Sequence, residues 1–269
     1  MKFNKLNTFE EYKSCIDYFK PIKKFSNDYI QTEAIDLILH DKLYEAHTSS
    51  NLFLFVKNEV GYRLYYYIAE TCEIADFSNF SNILVEILYR GEKFYPSEEI
   101  DYLCKCGFKV NLIRDQYCGV FNDLTDSKEI DGIEIRLANS IEEVAKAANL
   151  FNQSFDTLSG DYVSDDCFDY MLANGNILLA TNISGSFLGA LHQSVDRGVA
   201  WVRHLAVVPE ARGRHVGRAL LDTFVQSNFT TNKQRYMLWV QQKNNAAVNL
   251  YVNKGFKYLN KSTISLIKY

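Results

Sequence analysis

Hydrophobic and polar positions in the second half of the chain switch repeatedly between a period of two and a period near 3.6. Ile133-Glu134-Ile135-Arg136-Leu137 alternates as a half-buried strand does. Ser140 followed by Glu143 forms a capping-box signal, and Val144, Ala147, Ala148 and Phe151 then recur at helical spacing. Ser164, with acidic residues behind it, opens a second helix reaching Leu172. Apolar runs at 176–181 and 187–195 flank Ser184-Gly185 and predict a strand pair. Arg197-Gly198 turns the chain into a strand over 199–208. A helix from 216 to about 228, a strand over 236–240, a helix closed by Gly255 and a final strand follow.

The first half gives fewer signals. Strands at 52–56 and 63–69 flank Asn58-Glu59-Val60-Gly61, a hairpin signature. Residues 29–43 read as a helix, and Ile83–Tyr89 as a buried strand. A polar, turn-rich stretch over 122–132 marks a domain boundary. It divides the chain into 1–130 and 131–269. Tyr102-Leu103-Cys104-Lys105-Cys106-Gly107-Phe108-Lys109 echoes Leu250-Tyr251-Val252-Asn253-Lys254-Gly255-Phe256-Lys257. In each, a helix stops at a glycine and a Phe packs the exit. The echo predicts a tandem arrangement, with a degenerate copy of one fold in front.

Of the 269 residues, 47% are apolar, enough for a sizeable core. A net charge of −4 argues against a nucleic-acid partner. No apolar run is long enough to span a bilayer, and no signal peptide is visible, so neither membrane nor secretion is expected. The six cysteines form no C-x-x-C pair and accompany no histidine cluster, which predicts reduced thiols in a cytoplasmic protein and no metal site.

The most informative stretch runs from Leu205-Ala206-Val207 through Arg212-Gly213-Arg214-His215-Val216-Gly217-Arg218. A strand, a loop of Arg and Gly, and an apolar-faced helix present unsatisfied N–H groups and a favourable dipole to an anion. A dinucleotide loop and a P-loop both fit poorly, because neither glycine pattern is present. Downstream lies Asn244-Asn245-Ala246-Ala247-Val248-Asn249-Leu250-Tyr251, ending at Gly255-Phe256. The two motifs, in this order and with one apolar strand between them, resemble the GCN5-related N-acetyltransferases, the GNAT family. The family loop reads Arg/Gln-x-x-Gly-x-Gly/Ala, and His215 stands where its first glycine usually lies. The resemblance covers residues 133–269.

The resemblance implies an α/β fold of the α+β kind: a mixed, mostly antiparallel central sheet flanked by helices, here expected twice in tandem. It implies acetyl-CoA as co-substrate and a primary amine, on a small molecule or a peptide, as acceptor, attacking the thioester directly. The amides from Gly213 to Gly217, with Arg212, Arg214, His215, Val216 and Arg218, would hold the pyrophosphate. Glycine permits close approach and positive φ, and histidine tolerates left-handed geometry better than branched residues do. Leu205, Ala206 and Val207 would pair with the pantetheine arm, with an amide near Val207 facing the thioester carbonyl. Asn244 would cap its helix and contact the carrier. Tyr251 matches the family's general acid, while Leu103 takes the equivalent place in the front half, which is then not expected to bind the carrier in the same way.

No general base is evident. Strict alternation puts Trp201, Arg203 and Leu205 on one face of their strand and His204 on the other. The resemblance implies that the odd face looks toward the acceptor cleft, which makes Trp201 and Arg203 the expected substrate contacts, His204 a packed core residue, and His192 a further candidate base. Arg203 suggests an acceptor bearing a carboxylate or other anion. The front half is expected to shape the acceptor cleft or to hold a homodimer together. The competing readings are an acyl-CoA-binding pseudoenzyme that senses or buffers without turnover, and a structural interaction module.

Overall fold

In a computed structural model, residues 1–30, 35, 38–39, 42–121, 130–229 and 234–269 are described. Most of the helix expected over 29–43 and the polar stretch 122–129 lie outside them. The strands are β1 (Phe3–Lys5), β2 (Phe25–Ser26), β3 (Leu43–His47), β4 (Asn51–Lys57), β5 (Tyr62–Ile68), β6 (Ile83–Tyr89), β7 (Lys109–Val120), β8 (Ile133–Leu137), β9 (Ile177–Asn182), β10 (Phe187–Asp196), β11 (Val199–Val207), β12 (Arg235–Gln241) and β13 (Lys257–Lys268). The helices are α1 (Phe9–Phe19), α2 (Ser97–Lys105), α3 (Ile141–Ser154), α4 (Phe168–Ala173), α5 (Val216–Ser227) and α6 (Asn245–Lys254). None of the described helices is long and apolar enough to cross a membrane.

The chain forms two compact units, Met1–Ile113 with Lys261–Tyr269, and Arg114–Asn260. This differs from the division expected at 130/131. The reason lies in strand pairing. Residues 114–120 of β7 pair antiparallel with β12, from Arg114↔Gln241 to Val120↔Arg235. The carboxy-terminal residues pair with β6 instead, from Ser262↔Tyr89 to Lys268↔Ile83. A polar segment in sequence therefore does not mark the structural seam.

In the first unit the strand order is β1-β3-β4-β5-β6-β13, with β2 added beside β5. The pairings β1–β3, β3–β4, β4–β5, β2–β5 and β6–β13 are antiparallel, and β5–β6 is parallel. In the second unit the order is β7-β12-β11-β10-β9-β8, again antiparallel except at one step, β11–β12. Each unit is thus a mixed, mostly antiparallel sheet with one parallel step, the tandem arrangement expected.

The second unit's sheet is covered on both faces. On one face Leu220, Leu221 and Phe224 of α5 are fully buried against Ala200, Val202, Leu238 and Tyr251. On the other, Val144, Ala147 and Phe151 of α3 pack on Leu179, Ala190 and Ala206. Burial of each large side chain contributes about 1.5–3 kcal/mol, so these two faces fix the sheet between its helices. α3 begins with half of the predicted capping box: Ser140 Oγ accepts from the Glu143 amide at 3.4 Å, but the Glu143 carboxylate accepts from the Asn139 amide (3.0 Å) and Arg136 instead of returning to the Ser140 amide.

Both units close a helix in the same way. Phe108 donates its amide to the Leu103 carbonyl (3.1 Å) with Gly107 at φ +91°. Phe256 donates to the Tyr251 carbonyl (3.0 Å) with Gly255 at φ +104°. The sequence echo is therefore a repeated left-handed helix stop.

Candidate functional site

The parallel ladder between β11 and β12 runs from Val199↔Arg235 to Val202↔Leu238 and stops there. β11 continues to Val207, still paired with β10 through Leu205↔Leu191, Ala206↔Ala190 and Val207↔Gly189. The edge of β11 that turns toward β12 is therefore released from Arg203 onward. This is the opening that an extended acyl-carrier arm needs in order to add itself as a strand. Its vertex lies at Arg203 and His204, several residues before Val207.

Arg203 is the extra residue of a β-bulge: His192 pairs with His204 and Gln193 with Val202. A bulge adds one residue to one strand and reverses the facing of everything beyond it. The alternation read from sequence fails here. Ala200, Val202, Leu205 and Val207 all pack into the core beneath α5, whereas Ala206 faces α3. Leu205 consequently does not share the face of Trp201, and His204 does. Arg203 is exposed; its Nε donates to Ser194 Oγ at 2.7 Å, and its guanidinium lies 5.0 Å from the Trp201 ring centroid.

Gly189 controls how closely β10 approaches this strand. A Cβ there would lie 2.6 Å from the Ala206 carbonyl oxygen and 3.1 Å from Val207 Cα. Nothing in local sequence pattern marks this requirement, since the glycine sits inside an apolar run.

After β11, Pro209–Ala211 forms a short 3₁₀ turn, and the loop opens α5. Gly213 has φ +75° and His215 φ +62°. A Cβ on Gly213 would meet nothing within 4 Å, so its glycine serves backbone conformation and not close packing. The left-handed residues are therefore 213 and 215. Gly217 has ordinary φ, and a Cβ there would make contacts of 3.5 Å with Leu205 and Leu250. His215 is the N-cap of α5 but its side chain caps nothing. The first-turn amides of Val216, Gly217 and Arg218 thus remain available to an anion. Arg212, Arg214 and His215 are exposed around them, and Val216 is buried as an anchor. Arg218 is partly engaged elsewhere, with Nε 3.5 Å from Asp222.

Asp222 is a buried carboxylate that sequence reasoning passed over. Lys254 Nζ lies 2.5 Å from it, so the end of α6 is tied to the middle of α5. The i,i+4 spacing of Arg218 and Asp222 was its one local signal.

On α6, Asn244 Oδ1 accepts from the Ala247 amide at 3.1 Å, the capping role expected of it. Tyr251 is 6% exposed, with its ring centroid 5.9 Å from that of Phe256. Burial raises its phenol well above the ordinary value, so it carries its proton throughout the physiological range.

The face under α3 carries a stack of rings. His192 and His204 face each other with Nδ1 atoms 3.1 Å apart, and Phe151 lies 5.1 Å from the His204 centroid. Burial is the main cause that pushes both imidazoles down, His192 to about 4 and His204 to about 3. Both are neutral at neutral pH, one Nδ1 donating and the other accepting. His204 Nε2 is buried and makes no well-formed hydrogen bond among the described residues. Beside this stack, Arg114 donates to the Ser159 carbonyl (3.2 Å) and pairs with Asp161, holding the turn Thr157–Asp161.

The released strand edge, the open helix start and the exposed arginines fit a long extended ligand ending in a pyrophosphate. Residues 142–256 match the Acetyltransferase (GNAT) family. No curated protein sequence matches the chain. Among solved structures, a GCN5-related N-acetyltransferase from Sphaerobacter thermophilus is similar with TM-score 0.60 at 12% identity, over 99% of this chain and 95% of that one. A GCN5-related N-acetyltransferase from Kribbella flavida is similar with TM-score 0.55 at 14% identity, over 88% and 93%. A tandem GNAT protein from the clavulanic acid biosynthesis pathway is similar with TM-score 0.55 at 9% identity, over 84% and 81%. At these identities the likeness is one of fold, and it extends through both units. The second unit, with its split parallel step and arginine-glycine helix start, therefore carries a domain of the Acetyltransferase (GNAT) family over residues 142–256.

Proposed function

We propose that the second unit transfers an acetyl group from acetyl-CoA to a primary amine by direct attack. The observation that carries this reading is the end of the β11–β12 ladder at Val202↔Leu238 directly ahead of the open start of α5. The pantetheine arm would pair with Leu205–Val207, and the pyrophosphate would meet the amides of residues 213–217. The thioester carbonyl would then lie near the vertex at Arg203 and His204, where a released backbone amide can stabilise the developing oxyanion. The amine nitrogen forms the new C–N bond and gives up its proton to solvent water, the C–S bond breaks, and Tyr251 protonates the departing sulfur and is reprotonated from water. A thiol near 8.5 and an ordinary phenol near 10 make that transfer uphill by about 2 kcal/mol in water. Burial raises the Tyr251 phenol and a thiol beside it alike, so the two shifts oppose each other.

Trp201 and Arg203 are the proposed acceptor contacts. Arg203 spends its Nε on Ser194, which fixes the plane of the guanidinium and leaves its terminal nitrogens to meet a carboxylate on the acceptor. Kinetics of Arg203→Ala with acidic and neutral amines test this. A loss confined to acidic amines supports it; equal losses sink it.

A second reading is acyl-CoA binding without turnover. It is favoured by one observation: the two imidazoles nearest the vertex are poor bases, and His204 Nε2 is buried. Calorimetric titration with acetyl-CoA followed by thiol release across an amine panel separates the readings. Binding with turnover on at least one amine supports transfer; binding with turnover on none supports the sensor.

A further inference from the structure

The first unit repeats the parallel step but fills the opening beyond it with its own chain. The β5–β6 ladder runs from Tyr62↔Ile83 to Leu64↔Val85 and stops, as the β11–β12 ladder does after four pairs. On β5 the groups beyond that point are already satisfied. Phe25 pairs with Ile68 and Ser26 with Tyr67 in an antiparallel ladder, and the Lys24 amide donates to the Ile68 carbonyl at 2.7 Å. The Asn27 side chain completes the closure. It accepts from the Tyr66 amide at 2.9 Å and donates to the carbonyls of Leu64 (3.1 Å) and Glu86 (3.0 Å). A single carboxamide therefore spans the gap between β5 and β6. Asn27 is 2% exposed, so this latch is sealed from water. A buried amide with its oxygen and both of its N–H bonds engaged is costly to displace.

The loop after β5 is equally unsuited to a pyrophosphate. Among the described residues no helix lies between β5 and β6, so no helix start is presented there. Residues 69–82 contain Glu70, Glu73 and Asp76 and no Lys or Arg. The amides of Ala69 and Glu70 donate to Asn51 Oδ1 at 2.9 and 3.0 Å, and the Ser50 amide donates to the Glu73 carboxylate at 3.1 Å. Hydrogen bonds from the Ser49 and Thr48 hydroxyls hold the Glu73 carboxyl below its ordinary range, which keeps its negative charge in the loop. Where the second unit offers arginines and free amides, the first offers carboxylates and amides in use.

We infer that residues Phe25–Asn27 act as a built-in occupant of the first unit's strand opening, so that this unit is closed to acyl carriers and the chain takes up a single carrier, at β11. The second half of that statement rests on the function proposed above; the closure of β5 does not. Two measurements on the full chain test it, with acetyl-CoA as the probe. Equilibrium dialysis should give one acetyl-CoA per chain in the wild type and none in Arg212→Glu/Arg214→Glu. Two per chain, or one surviving in that double variant, overturns the inference. No binding even in the wild type refutes the reading of β11 while leaving β5 closed. Hydrogen exchange on the wild type needs no variant: acetyl-CoA should slow amides at 205–207 and 213–218 at least tenfold and leave 64–68 unchanged. Protection appearing at 64–68 overturns the inference. In Asn27→Ala the Tyr66 amide should exchange at least tenfold faster without acetyl-CoA; an unchanged rate shows that Asn27 is not the latch.

Discussion

His215 tests whether the loop ahead of α5 needs an imidazole or a backbone shape. Its φ of +62° and ψ of 12° lie in the left-handed region, its side chain is exposed, and it caps no helix amide. Left-handed geometry costs an L-residue about 1–2 kcal/mol, and glycine none of that. Glycine in turn costs about 0.5–1 kcal/mol through greater freedom of the unfolded chain. For His215→Gly these terms nearly cancel, so stability should change by less than about 1 kcal/mol in urea denaturation. The amides of 213–217 keep their positions, so the Kd for acetyl-CoA by calorimetry should stay within about threefold of wild type. For His215→Val the branched Cβ cannot adopt this φ cheaply. Reorganising the loop at about 1.4 kcal/mol should weaken acetyl-CoA about tenfold, with the fold otherwise intact. A tenfold loss in His215→Gly would show that the ring itself holds a phosphate. Unchanged affinity in His215→Val would show that the left-handed residue is not needed. Either result refutes the argument.

Tyr251→Phe should lower kcat about 10²-fold or more, as loss of a general acid does, with KM for acetyl-CoA nearly unchanged; a kcat within threefold of wild type assigns the proton elsewhere. Gly189→Ala puts a Cβ 2.6 Å from the Ala206 carbonyl oxygen and 3.1 Å from Val207 Cα, both backbone atoms of β11. Overpacking of this kind costs about 1–3 kcal/mol, and acetyl-CoA affinity should fall with stability because the displaced segment is the proposed carrier strand. An unshifted urea midpoint would contradict the close approach. The pH dependence of stability should carry the mark of the histidine stack. The folded values, about 4 and about 3, lie below the unfolded value, so the unfolded chain binds protons first as pH falls. Stability is complete above about pH 6.5 and is lost toward pH 4, on the order of 2 kcal/mol per imidazole by pH 5. Glu143, held down to about 2 chiefly by Arg136, contributes stability that is lost only below its unfolded range, and Glu99, raised by burial, acts in the opposite sense but equally in wild type and variant, so the comparison of the two proteins at pH 7 and pH 5 reports the imidazoles. The drop in urea midpoint from pH 7 to pH 5 should be larger in wild type than in His192→Phe/His204→Phe; equal differences in both proteins would be decisive against the assignment.

The parts of the second unit that were legible in sequence share one physical property: their determinants are local. The side-chain cap at Ser140, the alternation of β8, the cap at Asn244 and the stop at Gly255 each depend on residues within one turn or one strand. Gly213 announces a left-handed loop by itself. The parts that were not legible depend on partners far away in the chain. An inserted residue at Arg203 leaves the apolar pattern of β11 superficially intact, and only the pairing with His192 and Gln193 shows which face each later side chain takes. The carboxy-terminal residues read as an ordinary final strand, and only their register with β6 places them in the first unit. Asn27 sits in a polar stretch with no periodicity. Its importance lies entirely in the Tyr66 amide and the carbonyls of Leu64 and Glu86.

The same distinction explains why the donor side of the proposed reaction is far better defined than the acceptor side. A carrier held by backbone amides and a strand edge requires a contiguous segment, and in the proposed reaction residues 203–218 would supply it in a single passage of chain. An acceptor is recognised by side chains, and those near the vertex come from separate elements: Phe151 from α3, the turn Thr157–Asp161 held by Arg114, and Trp201, Arg203 and His204 from β11. Their combination is a product of packing. It follows that substitutions on α3 and in the turn 157–161 should change which amine is used while leaving acetyl-CoA affinity in place. Substitutions in residues 212–217 should weaken the carrier equally for every amine. Because the two groups of residues lie on different elements, the two effects should be additive in a double variant, and a coupling energy above about 1 kcal/mol between Arg114→Ala and His215→Val would show that the acceptor turn also shapes the carrier loop.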